Sequence, residues 1–219
     1  MPKSLYSLML SDEVVEQIDR LALKSGTNRS QLVNRILAEH CSLLTPERRI
    51  EAIFRRVNDL FESSDELISR LAPHQTTMQV RTALAYRYRP TLRYELRLYK
   101  EAEEGSIGEL SMTLRTQAAE LLSLMENFLT AWVPLEKRVL ERKGIAPRYE
   151  LQPGRFVRTV ETQPLPGESG EEAAGRIGDA LSLYVRLLDG AFKAFVAGEE
   201  NETAMQARLA GWAGADCLL

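Results

Sequence analysis

Arginine is the residue type in this chain whose spacing most plainly invites chemistry. Arg81, Arg87, Arg89, Arg93 and Arg97 all fall on odd positions, so on a strand they would line one face. A row of guanidinium groups neutralises phosphates and meets them with forked N–H donors, which makes it a candidate second DNA surface. The same row is also what a solvated sheet face looks like, with Glu95 and the acidic residues farther along pairing the arginines internally. Catalytic chemistry has less to work with. His40 and His74 lack a carboxylate or cysteine at a catalytic or metal-binding spacing, and Cys41 and Cys217 are too few for a disulfide framework or a zinc site. No stretch reads as a glycine-rich phosphate loop or a nucleophile elbow. The expectation is a protein that is not an enzyme and uses no cofactor and no metal.

The 219 residues, 44% of them hydrophobic, suffice for one large domain or two small ones with a real core. A net charge of −3 excludes a generally polycationic binder, so any nucleic-acid contact must come from a local patch. Residues 1–44 carry 5 positive and 5 negative charges, residues 45–99 carry 10 and 7, and residues 100–219 carry 13 and 19, which makes the middle the basic part. No apolar run reaches the roughly 18 to 20 residues needed to span a bilayer, and the start Met1-Pro2-Lys3-Ser4 lacks the apolar core of a signal peptide. A cytoplasmic protein without a membrane contact is expected.

The elements that must position these residues follow from periodicity. Residues 4–10 alternate, with Tyr6, Leu8 and Leu10 on one face and Leu5, Ser7 and Met9 on the other, which predicts a strand. Ser11 is placed to cap a helix carrying Asp12 and Glu13 in its first turn, with Val14, Val15, Ile18, Leu21 and Ala22 as its apolar stripe and Gly26 beyond its end. Asn28, with Gln31 three residues on, opens a second helix to about Cys41 whose buried stripe is Leu32, Val33, Ile36 and Leu37. Thr45-Pro46 opens a third, predicted over 46–72, with Leu67, Ile68 and Leu71 completing its stripe and Pro73 ending it. Between 78 and about 115 the period becomes two. Val80, Leu84, Tyr86, Tyr88, Leu92, Tyr94, Leu96 and Leu98 take the even positions, Pro90 marks a turn or edge, and an acidic link over 101–108 leads to a partner strand through Leu110, Met112 and Leu114. Helices follow over about 117–143, with a kink at Pro134, and 171–197, with a further strand candidate at 155–162. The fold class expected is mostly α with a small antiparallel sheet (α+β). Its domains would be residues 1–44, and an α+β domain of unassigned role over 45–219.

The strand, the Ser11-Asp12 cap, the helix that follows and the turn Gly26-Thr27-Asn28-Arg29-Ser30-Gln31 before Leu32-Val33 resemble the ribbon-helix-helix family of DNA-binding proteins. The resemblance covers about a fifth of the chain. It implies a homodimer in which two strands pair antiparallel, Tyr6, Leu8 and Leu10 facing a shared core and the other face entering the major groove of double-stranded DNA. Lys3, Leu5, Ser7 and Met9 would then face the bases, where Lys3 and Ser7 can form hydrogen bonds while Leu5 and Met9 can only pack on thymine methyls. The start of the second helix would present free N–H groups to a phosphate at Thr27, Asn28, Arg29 and Ser30.

On this reading the chain is a transcription regulator of bacterial, phage or plasmid origin. Two alternatives stand beside it: an accessory protein of plasmid transfer or partition whose carboxy-terminal part recruits a protein partner, and a dimeric protein-binding adaptor that does not touch DNA.

Overall fold

The computed structural model of the chain describes residues 7–40, 44–62, 67–71, 76–163 and 165–213. The described residues form six helices and one six-stranded antiparallel sheet, a mixed α+β architecture. Two compact units divide at Arg48/Arg49, against the predicted boundary at 44/45.

In the first unit, Asp12–Lys24 (α1) and Arg29–His40 (α2) form a helical hairpin. Ser11 occupies the N-cap position of α1 in extended backbone, yet its hydroxyl makes no capping bond. At the other end Gly26 takes φ +61°, which places the Thr27 N–H on the Ala22 carbonyl at 2.9 Å and closes the helix. Asn28 caps α2 as expected, its Oδ1 accepting from the Gln31 N–H at 2.9 Å. The buried centre of this hairpin is Ile18, Ala22 and Leu32, with Val33 packed against them. The stripe expected for α2 is thus only half buried, since Ile36 and Leu37 remain exposed.

Of the strand predicted over 4–10, residues 4–6 lie outside the described residues, and Ser7, Leu8, Met9 and Leu10 form none. One chain alone offers this edge no strand to pair with.

The second unit is built on the sheet, whose strands run in the order β1-β2-β3-β4-β6-β5. They are Ile68–Leu71 (β1), Thr77–Ala83 (β2), Thr91–Glu103 (β3), Ser106–Leu114 (β4), Tyr149–Gln152 (β5) and Arg155–Glu161 (β6). The helix expected over 46–72 is therefore two elements. Pro46–Glu62 (α3) buries Ile50, Ile53, Phe54, Val57 and Phe61, and of the apolar residues after it Leu67 precedes β1 while Ile68 and Leu71 belong to it, β1 pairing with β2 from Ile68↔Arg81 to Leu71↔Met78. A helical spacing of three and four ran on across two elements because Ile68 and Leu71 happen to fit it.

The region between β2 and β3 differs as well. Residues 84–90 form a loop, closed by the Leu84 N–H on the Pro90 carbonyl at 3.0 Å, so Tyr86 and Tyr88 are not strand residues. The expected acidic link between β3 and β4 shrinks to Glu104 and Gly105, both with positive φ, the geometry of a tight hairpin turn that matches strand twist. Gly108 follows a bulge. A Cβ there would stand 2.3 Å from the Arg97 carbonyl oxygen, so only glycine lets β4 approach β3 this closely.

Ala119–Glu141 (α4), Gly170–Ala197 (α5) and Glu202–Ala213 (α6) complete the unit. α4 continues through Pro134 as one helix. The Ser169/Glu172 capping box and Gly198, with φ +76°, mark the ends of α5. The inner sheet face, with Met78, Val80, Leu92, Tyr94, Leu96, Leu110, Met112, Phe156 and Val160 fully buried, packs under the helices.

Candidate nucleic-acid interface

The turn between α1 and α2 holds the predicted phosphate contacts together on one exposed helix start. Asn28, Arg29 and Ser30 are exposed and Thr27 half-buried. Thr27 gives its N–H to Ala22, and its hydroxyl to Gln31 Oε1 at 2.7 Å. Arg29 turns back onto α1, donating from Nε and Nη2 to Asp19 Oδ1 and Oδ2 at 2.7 and 2.5 Å. This pair holds the Asp19 carboxyl below its ordinary value and pushes the Arg29 guanidinium up. Arg29 thus closes the hairpin, and a phosphate at this turn would have to share it with Asp19. Ser7 and Met9 are exposed, whereas Lys3 and Leu5 lie outside the described residues.

The arginine row resolves into two different places. Arg81, Arg93 and Arg97 project from the open sheet face, opposite the buried one, while Arg87 and Arg89 belong to the exposed loop beyond it rather than to a strand. That loop keeps Tyr88 fully exposed at φ +62°, an uncommon backbone for a bulky residue.

Strand register sorts the open face into cross-sheet rows. Beyond the Ala83↔Thr91 pair at the loop, the first row to cross the sheet reads Arg81, Arg93, Thr113, Arg155 and Gln152 from β2 to β5. The next reads Arg70, Gln79, Glu95, Ser111, Val157 and Glu150, and the third runs Thr77, Arg97, Glu109 and Thr159. Acid is thus interleaved with arginine in the second and third rows and missing from the first. Gln79 bonds Glu95 at 3.0 Å, and the Tyr99 hydroxyl, pushed up to about 12 by burial and by its bond to Glu109, occupies the acid beside Arg97.

Arg81 and Arg93 are direct cross-strand neighbours, a like-charge pairing that destabilises a sheet unless an anion lies between. Arg81 donates to Gln79 Oε1 at 3.2 Å, and its buried Nε finds no acceptor among the described residues. Arg155 and Arg115, exposed at the same end, were not anticipated as site residues. Arg155 is placed in the row of Arg93, across Thr113, only by the register of three strands.

Charge of another kind lies under the sheet. Arg158, from the inner face of β6, pairs with Glu136 of α4 at 2.7 Å, both fully buried. Glu136 also accepts from the Tyr184 hydroxyl at 2.8 Å and from Trp132 Nε1 at 3.0 Å, and the Arg158 guanidinium lies 4.4 Å from the Tyr184 ring centre. Burial pushes the Glu136 carboxyl up, against the opposing pull of Arg158 and its hydrogen-bond donors. Enclosed on all sides, the cluster ties α4, α5 and β6 into one register. Its only trace in the sequence is an arginine on the apolar parity of Phe156 and Val160.

Among the described residues no three His, Cys, Asp or Glu side chains gather where they could hold a metal, and no helix is long and apolar enough to cross a membrane. No family model matches this chain, and neither a curated protein nor a solved structure matches it.

Proposed function

We propose that the chain is a homodimeric, sequence-specific DNA-binding protein that regulates transcription. The observation that carries this reading is the apolar surface of the first unit. Leu8, Leu10, Val14, Leu21, Ile36 and Leu37 are 41–62% exposed in the single chain, around a core in which, among the described residues, Ile18, Ala22 and Leu32 are buried. A unit this small cannot bury enough of itself to be stable alone, and a second copy both covers these residues and supplies a strand partner for residues 4–10. The alternation of that segment then leaves Lys3, Leu5, Ser7 and Met9 to enter the major groove, while the start of α2 meets phosphate through Thr27, Asn28, Arg29 and Ser30.

The size of the second unit favours recruitment of a protein partner as its task, which is the role expected of a plasmid transfer or partition accessory. Sequencing the genomic fragments retained by the purified protein tests both readings. Recovery of promoters supports a regulator; recovery of an origin of transfer or a centromere-like repeat supports the accessory role. A protein that is monomeric, or that retains no fragment at low salt, would remove the DNA-binding reading.

A further inference from the structure

We propose that the loop end of the open sheet face is a second phosphate-binding surface, which grips the backbone of duplex DNA without reading its sequence. Arg81, Arg93 and Arg155 form its floor, and Arg87, Arg89 and Arg115 its rim. The identity of the polyanion rests on the function proposed above; the charge pattern does not. With strands about 4.8 Å apart, the three interstrand steps from Arg81 to Arg155 spread the guanidinium groups over roughly 14 Å, enough to face several phosphates of a duplex.

Three observations favour an anion here over a merely solvated face. None of these six arginines forms an ion pair among the described residues, whereas Arg55, Arg56 and Arg148 of the same unit are tied to Glu51, Asp179 and Glu104. The like-charge neighbours Arg81 and Arg93 cost stability unless an anion bridges them, and the first row supplies no carboxylate to do so. Thr113 lies between Arg93 and Arg155 with a hydroxyl suited to a phosphate oxygen, and the loop that carries Arg87 and Arg89 holds the fully exposed Tyr88, a phenol donor. Arg97, two rows away, is excluded from this surface because Glu109 is its cross-strand neighbour.

The test compares full-length proteins by fluorescence anisotropy, on a retained genomic site and on a random duplex, between about 50 and about 200 mM salt. Replacing Arg93 and Arg155 together by Gln should weaken binding equally on both duplexes. It should also reduce the slope of log affinity against log salt by about 1 for each arginine removed, or about 4 for a dimer. The Arg93→Lys, Arg155→Lys variant keeps the charge and should retain the slope. An unchanged slope and affinity in the Gln variant overturns the sheet surface while leaving the amino-terminal reading intact. A wild type that binds both duplexes equally, with the slope still falling in the Gln variant, overturns the amino-terminal reading and upholds the sheet surface. No binding by the wild type overturns both.

Discussion

Side chains that face the interior of the second unit from α3, α4 and α5 are almost wholly withdrawn from water, Val57, Phe128 and Leu181 among them at 0% exposure. The two short helices of the first unit, by contrast, leave more large apolar residues out than in. The second unit stores its stability within one chain, even tolerating a buried ion pair. The first leaves Leu21, Ile36 and Leu37 exposed around a small buried centre. If the proposed dimer forms, one chain combines a part whose folding is independent of concentration with a part whose folding is a form of association. Both tryptophans, Trp132 and Trp212, belong to the second unit, so their fluorescence reports on it alone.

The largest effect should come from Glu136→Ala. It strands the fully buried Arg158 guanidinium and removes the acceptor of Tyr184 and Trp132, and loss of one partner of such a pair costs about 3–5 kcal/mol. Urea unfolding followed by tryptophan fluorescence should show that loss at every protein concentration. A loss below about 1 kcal/mol, the range of an exposed pair, would mean that this cluster does not hold the second unit together.

Ile36→Ala probes the other side of the comparison. If a second copy buries Ile36, its removal should cost about 1.5–3 kcal/mol per chain and raise the dimer dissociation constant at least tenfold in sedimentation equilibrium. The tryptophan transition should stay where it was. Should the dimer be unaffected and that transition fall instead, the division of labour between the units is wrong.

Gly178→Ala should have a more moderate cost, about 1–3 kcal/mol, by overpacking. A Cβ at this position on α5 would meet Arg56 Cβ at 2.7 Å and the Ile53 carbonyl oxygen at 3.0 Å, so α3 must move away. The loss belongs in the fluorescence transition, with dimerisation unchanged. A stabilised variant would show that α3 can shift freely, and that the intrachain core is less fixed than its burial indicates.

What could be read from residue order differs between the units for the same reason. Alternation at Leu92, Tyr94, Leu96 and Leu98 was legible because β3 has one buried and one open face, and the stripes of α3, α4 and α5 because each helix rests on that core by one side. β1 reads as helix in the sequence because four residues are too few to establish a period. The last helix is weakly marked in the sequence, its signals being Met205, Leu209 and Trp212 at spacings of four and three and Asn201, which caps it through the Ala204 N–H at 3.0 Å. Of the candidate surface, Arg81, Arg87, Arg89 and Arg93 are legible by parity, but Arg87 and Arg89 lie in a loop, and Arg97 of the same parity lies outside the surface. Arg155 joins the set only through strand pairing, which parity within one segment does not contain. Ser7 to Leu10 show the converse case, an alternating sequence that forms no strand.

The smallest effect is a matter of pH, and again it should separate the units. Arg176 donates from Nε and Nη2 to Glu168 Oε1 and Oε2 at 2.7 and 2.8 Å, and this bond holds the Glu168 carboxyl below its ordinary value. Because the folded value is depressed, the contribution is complete above the ordinary carboxylate range and is lost as pH falls through the depressed value. Glu168→Gln should therefore lower the tryptophan-detected melting temperature near neutral pH, and the gap from the wild type should close toward about pH 3. In the first unit Asp19 is depressed in the same direction by Arg29, so Asp19→Asn should show the same closing gap in the concentration-dependent helical signal, leaving the tryptophan melt untouched. A gap for Glu168→Gln that stays constant into acid would show that the bond to Arg176 does not depend on the carboxylate charge.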